Sequence, residues 1–257
     1  MEYIKLSMDE GIATIALTRP PANALSKGLL LELDGVFADI EQNNEVRVVI
    51  LHGEGRFFAA GADIKEFLNV KDGSEFTKLA KEGQEIFSRI ERFRKPVIAA
   101  IHGAALGGGL ELAMACHIRI ASENAKLGLP ELQLGLVPGW GGTQRLSRFV
   151  GRAKAAEMIL TSESISGIEA KNIGLVNAAY SEELLMKEAY AMAKKIAAKS
   201  AITTAMTLEL LTYAIDDKQE RGADKEAAFF GQAFETEDGK EGIRAFIEKR
   251  KPNFQHK

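Results

Sequence analysis

Between residues 46 and 121 the chain keeps switching between two hydrophobic periods, and that alternation restricts the fold more than any other feature. Val46-Arg47-Val48-Val49-Ile50-Leu51 is a β-branched run halted by Gly53 and Gly55. Helical spacing follows from about Gly73 to Phe93, and Pro96–His102 then reads as a strand that Pro96 opens without interrupting. Leu110–Cys116 is a short apolar helix, and Ile118-Arg119-Ile120-Ala121 is a further strand. Strands that alternate with helices bury their apolar faces together, so the expected class is α/β, with helices packed against a sheet.

The flanking segments extend this pattern. Tyr3–Thr18 alternates partially and breaks at Asp9-Glu10-Gly11, the mark of a hairpin, and Pro20-Pro21 ends its second strand. Ser26 suits an N-cap for a helix in which Leu29, Leu33, Val36, Phe37 and Ile40 recur at helical spacing. Ile173-Gly174-Leu175-Val176 reads as a short connection. After about Glu182 the composition turns to Ala, Lys, Glu, Leu and Met, with no proline until Pro252. The expected organisation is a core over residues 1–181 and a helical region over residues 182–257. Breaks in that region are expected near Ser200, Asp216-Asp217 and Asp238-Gly239, and its second use would be oligomer contacts.

Charge and cysteine content remove several classes. Thirty-three Lys and Arg against 36 Asp and Glu leave a net charge of −3, which disfavours a nucleic-acid binder. Cys116 is the only cysteine, so no intramolecular disulfide forms, and a reducing compartment such as the cytoplasm fits. Met1–Lys5 lacks a basic, then apolar, leader pattern. The most apolar stretch, Val97–Ile120, carries His102, Glu111, His117 and Arg119 beside its glycines, a load that a membrane span rarely tolerates.

Two small-residue stretches mark a site. Phe58-Ala59-Ala60-Gly61-Ala62-Asp63 follows the Val46–Leu51 strand, and small side chains let a ligand approach main-chain N–H groups. The same stretch also reads as a strand-to-helix turn capped by Asp63. Gly53-Glu54-Gly55 fails as a dinucleotide fingerprint, because Phe58 occupies the place of the third glycine. Gly107-Gly108-Gly109 stands where a helix begins, although each glycine costs about 1 kcal/mol inside one. Either something approaches this backbone closely or the helix packs too tightly for a Cβ. A helix start offers unpaired N–H groups and partial positive charge to any developing anion.

Two carboxylates accompany these stretches. Glu111 lies in the apolar run Leu110–Ala115, where it is either paired, with Arg119 or Arg145, or functional. Glu131 follows Pro130 and is a second carboxylate for the site or a surface loop residue. Backbone donors plus two glutamates are the parts needed for acid–base chemistry beside a stabilised oxyanion. His52, His102, His117 and His256 show no metal-ligand spacing, so no metal is expected. No nucleophile elbow occurs, and Cys116 reads as a core thiol.

Taken together, Phe58–Lys65, Lys95–Ala100, Gly107–Ala113, Pro130-Glu131, Gly139–Arg145 and Phe246–Pro252 resemble, in order, the signatures of the crotonase superfamily and its enoyl-CoA hydratases. The resemblance runs over essentially the whole chain. It implies a spiral of ββα units with a C-terminal helical region, assembled as a homo-trimer or homo-hexamer. It implies an acyl-CoA thioester substrate, with coenzyme A part of that substrate and no separate cofactor. By the same resemblance Glu111 and Glu131 would be the catalytic pair, and the N–H groups of Ala62 and Gly108 the oxyanion donors. Ala60, Asp63, Ile64, Lys65, Leu106, Gly107, Pro138, Gly139, Trp140, Phe246 and Lys249 would contact substrate or CoA. Glutamate at both positions points to hydration of a trans-2-enoyl-CoA rather than to the isomerases of this fold, many of which keep only one. A branched-chain hydratase and an RNA-binding relative are the other readings. Trp140 stands where many hydratases carry alanine.

Overall fold

A computed structural model describes residues 1–68, 70–215, 229, 230, 232 and 236–256 of the 257. The first elements are the predicted hairpin, β1 (Ile4–Asp9) and β2 (Ile12–Leu17), then helix α1 (Lys27–Gln42), whose N-cap Ser26 accepts from the Leu29 N–H. Strand β3 (Val48–Gly53) leads to a one-turn helix α2 (Ile64–Phe67) and to the long α3 (Gly73–Glu91). Next come β4 (Val97–Ile101), β5 (Ala104–Leu106), α4 (Gly108–Ala115), β6 (Ile118–Ser122) and β7 (Lys126–Gly128). A 3₁₀ turn at Glu131–Leu134 precedes α5 (Gly142–Thr161), β8 (Ile165–Ser166), α6 (Gly167–Asn172) and β9 (Ala178–Tyr180). Helices α7 (Glu182–Ala197), α8 (Ala201–Ile215) and α9 (Glu237–Ile247) follow.

These elements form two layers. The larger sheet has the order β1-β2-β3-β4-β6-β9, parallel throughout except for the β1–β2 hairpin. The smaller sheet has the order β5-β7-β8. Single parallel bridges from Ala59 to Ala105 and from Leu25 to Ala62 extend that second layer across the earlier part of the chain. The resulting path repeats. Each of β2, β3, β4 and β6 leads from the large sheet into a short extended piece of the second layer and then into a helix. This is the expected spiral of ββα units.

Both faces of the parallel strands are covered, which is why they read as continuous apolar runs rather than as clean alternation. One face, including Ile15, Leu17, Val49, Leu51, Ala99 and Ile101, packs toward α1, α3 and α4. The other, including Ile12, Val48, Ile50, Ile98 and Ile120, is sealed by Leu185, Ala189 and Ala193 of α7. Thus α7, beyond the compositional boundary at residue 182, closes the core sheet itself.

The structure moves some expected boundaries. The predicted strand at 46–51 pairs two residues later, because the Arg47 N–H turns back to the Gly11 carbonyl before the ladder begins. Ser200 does separate α7 from α8, whereas Asp238-Gly239 lies in the first turn of α9. Thr236 starts that helix instead, its hydroxyl accepting from the Gly239 N–H. Asp238 is turned inward to accept from the Gln255 and His256 N–H groups. The break expected at Asp216-Asp217 lies outside the described residues.

Candidate active site

The spiral puts the two small-residue stretches side by side. Leu25 bridges to Ala62 through bonds to its neighbours: the Leu25 N–H donates to the Gly61 carbonyl, and the Asp63 N–H donates to the Leu25 carbonyl. In a parallel bridge of this kind the middle residue's own N–H points the other way. That direction is toward α4, where a Cβ built on Gly108 would lie 3.5 Å from the Ala62 nitrogen. Gly108 is the first residue of α4, so its N–H has no acceptor within the helix. Ala62 and Gly108 thus lie side by side at the N-terminal, positive end of α4.

Gly109 answers the packing question raised by the glycine run. A Cβ there would overlap the Ala59 carbonyl, so tight helix–sheet contact is one reason for glycine at this point. At Gly108 an added Cβ would instead overlap the Trp140 ring at the edge of a cleft. Packing thus excludes a Cβ at both residues, and Gly108 in addition borders the cleft.

Every residue of α4 is buried, and Glu111 is its one ionisable side chain, with 2% exposure. Neither expected arginine pairs with it. Glu111 Oε1 instead accepts from the N–H groups of Trp140 (2.8 Å) and Gly142 (2.7 Å). Burial pushes its carboxyl up to about 7, and the Gly142 N–H opposes that rise. The nearby Glu131 charge adds to the rise, while the Trp140 N–H and Arg145 oppose it. Arg145 acts on the loop: it donates to the Trp140 carbonyl (2.8 Å) and pairs with Glu91 (2.9 Å). Arg119 is spent elsewhere, on the Leu175 and Cys116 carbonyls and over the Phe149 ring.

Glu131 opens the 3₁₀ turn and is half-buried rather than a surface loop residue. Burial raises its carboxyl above the usual range. Its Oε2 is buried and has no hydrogen-bond partner among the described residues. A buried oxygen left this way is costly unless something else meets it. Cys116 is fully buried and its thiol is pushed up to about 12, which suits the predicted core role.

Both glutamates and both donor residues border one cleft of about 150 Å³. Ala60, Ile64, Gly107, Gly139 and Trp140, also predicted, border it too. Asp63, Lys65, Leu106, Pro138 and Lys249 do not. Asp63 caps α2 through the Lys65 N–H and pairs with Arg19, so its carboxylate fixes the loop that carries Ala62. Lys65 is exposed on α2 beside the rim. Leu106 donates its N–H to the Ala59 carbonyl within the second layer, and Pro138 is buried behind the loop. Lys249 sits exposed in a left-handed turn after α9. Phe246 belongs to α9, and its side chain lies outside the described residues.

Sequence reasoning missed the apolar wall of the cleft: Phe67, Phe76, Leu79, Ala80, Leu136 and Val137. A signal existed for part of it. Phe76, Leu79, Ala80, Gly83 and Phe87 recur at helical spacing on α3, but that stripe reads as ordinary core. Among the described residues no helix is long and apolar enough to cross a membrane.

Known proteins resemble this chain in sequence and in fold. Residues 7–257 match the family model described as enoyl-CoA hydratase/isomerase. The chain is 55% identical over 255 residues to a probable enoyl-CoA hydratase of Bacillus subtilis (strain 168), covering 99% of each protein. It is 43% identical to a short-chain-enoyl-CoA hydratase of Clostridium acetobutylicum, covering 98% of this chain and 97% of that protein. A crystal structure of enoyl-CoA hydratase from Bacillus anthracis superposes with a TM-score of 0.94 at 38% identity, covering 99% of this chain and 100% of that one.

Proposed function

Because the chain belongs to the enoyl-CoA hydratase/isomerase family, we propose that it reversibly hydrates trans-2-enoyl-CoA thioesters to 3-hydroxyacyl-CoA. The observation that carries the reading is that two desolvated carboxylates, Glu111 and Glu131, border one cleft together with Ala62 and the helix-start residue Gly108. The thioester carbonyl sits between the N–H groups of Ala62 and Gly108. Water attacks C3, charge moves onto that oxygen, and the two donors stabilise it. One preorganised donor of this kind contributes roughly 3–4 kcal/mol.

Glu111 holds the attacking water. Its Oε1 is anchored by the Trp140 and Gly142 N–H groups, so Oε2 is the oxygen available to the water. Glu131, whose Oε2 has no protein partner among the described residues, delivers the proton to C2. The water's proton passes to the carboxylate pair, which therefore returns to its starting charge. Two coupled carboxylates titrate as a unit, so the pair rather than either member sets the pH profile. Hydration is redox-neutral, and CoA enters as part of the substrate. Lys65, exposed beside the rim, is available to the CoA phosphates.

We also propose a cytoplasmic homo-trimer or homo-hexamer. Exposed Leu211 on α8 and exposed Phe230 support contact between copies through the C-terminal region, and light scattering of the purified protein reads the mass. The activity is tested by loss of the enoyl-thioester absorbance with crotonyl-CoA and identification of the product. Formation of 3-hydroxybutyryl-CoA supports the reading. Folded protein that leaves crotonyl-CoA untouched but shifts the double bond of 3-enoyl-CoA would replace hydration with isomerisation.

A further inference from the structure

We propose that Trp140 closes the inner end of the acyl cleft and so confines the enzyme to short acyl chains, an inference that rests on the hydratase reading of the same site. The indole is wedged between α3 and α4 on two glycines: a Cβ on Gly83 or on Gly108 would overlap the ring. Its edge meets Phe87, with ring centroids 5.6 Å apart and planes at 80°. The backbone is equally held, its N–H by Glu111 and its carbonyl by Arg145. A ring wedged between two helices and held through its backbone in this way is a wall, not a flap.

The wall separates two spaces. In front is the cleft that holds the carboxylates; behind is a second hollow of about 50 Å³, with Leu25, Leu30 and Ile86 in its lining. Trp140, Phe67 and Leu79 border both, so these three side chains form the partition. The outer rim of the rear hollow is polar: Lys27 pairs with Glu82 at 3.3 Å, and the Lys27 N–H donates to Glu66. The reacting atoms fix the direction of the substrate. The carbonyl lies at Ala62 and Gly108, C2 and C3 lie at the glutamates, and the polar CoA half leaves by the open mouth. The acyl tail is left with the apolar interior, which ends at the indole. A short tail fits in front of the ring, and a longer one needs the space behind it.

The test is kcat/KM for trans-2-enoyl-CoA thioesters of four, six, eight and ten carbons, for wild type, Trp140→Phe and Trp140→Ala. The wild type should lose efficiency beyond six carbons. Trp140→Ala should raise the eight-to-four-carbon ratio by about tenfold or more, with Trp140→Phe between, since methylene-sized pocket changes shift efficiency by such factors. Adding Leu31→Trp to Trp140→Ala should reverse the gain, because Leu31 borders the rear hollow and, at 57% exposure, tolerates the larger ring. Calorimetric affinities for octanoyl-CoA and butyryl-CoA should follow the same order without relying on Glu111 chemistry. Parallel chain-length profiles in wild type and both variants would overturn the proposal; if Trp140→Ala does not fold, Trp140→Phe decides. A wild type that hydrates none of the series would defeat the hydratase reading instead, and the affinity ratio would still test the wall.

Discussion

The floor and the wall of the cleft are built on opposite principles. The floor is α4 with the backbone of the Trp140–Gly142 loop, and it has almost no freedom. Each residue of α4 is buried, Glu111 is tied to two N–H groups, and Arg145 ties that loop to Glu91. The wall is α2, the first turns of α3 and residues 134–137. There Ile64, Leu134 and Val137 are 51%, 55% and 73% exposed, and no residue of α2 is buried. Chemistry that depends on sub-ångström placement of charge needs the first arrangement. An acyl group needs only apolar surface, which the second supplies without geometric precision. Substitutions in the floor should therefore reduce kcat, and those in the wall should mainly shift KM.

The largest effect is expected in the floor at Gly108. A valine there would overlap the Trp140 ring and displace the donor N–H. The loss in crotonyl-CoA turnover should match one oxyanion donor, about 10²–10³-fold, with KM little changed. Turnover kept within tenfold would remove Gly108 from the oxyanion site.

The next contrast is in stability against pH. Burial holds the Glu111 carboxyl at about 7 in the folded chain against its ordinary value of 4.5. A raised carboxyl binds its proton more tightly when folded, so its contribution is present below about 4.5 and lost as pH rises through about 7. Glu111→Gln carries no charge to desolvate. Its stability relative to wild type in urea should improve by about 3 kcal/mol between pH 4 and pH 8. A difference that does not change with pH would mean that Glu111 is not desolvated.

Arg145→Gln comes third. Arg148 keeps its own bond to Glu91 (2.7 Å), so the expected cost is about 2 kcal/mol rather than that of a fully orphaned buried charge. As a positioning change it should lower kcat and move the pH profile, because the loop that anchors Glu111 loosens. Arg145→Lys should recover part of both. The smallest effect belongs to the wall. Phe76 packs edge-on against Phe67 at 4.9 Å and is half-buried, so Phe76→Ala should cost about 1 kcal/mol and raise KM less than tenfold. A collapse of kcat in that variant would erase the distinction between the two regions.

The same distinction governs what could be read from the sequence. The floor was legible because its residues break local rules. Three glycines at a helix start cost helix propensity, and a glutamate in an apolar helix costs desolvation, so both call for an explanation beyond local preference. The partner of Glu111 was not legible: a side chain can be guessed at from charge, but backbone N–H groups 29 and 31 residues away leave no mark in composition. The three-residue strands β5 and β7 were missed because they are too short to show a period. Phe76 and Leu79 were missed because a helix stripe facing a cleft looks like one facing a core. Asp63 was ambiguous between cap and ligand, and the structure gives its carboxylate to α2 and Arg19.

The central claim is that Glu111 and Glu131 act on one water as a unit. Its most direct test is crotonyl-CoA hydration by Glu111→Gln, Glu131→Gln and the double variant, with folding of each checked by circular dichroism. The account predicts that each single change costs about 10²–10⁴-fold in kcat and that the double variant is scarcely slower than the worse single one. Losses that multiply in the double variant, or either single variant within tenfold of wild type, would contradict it.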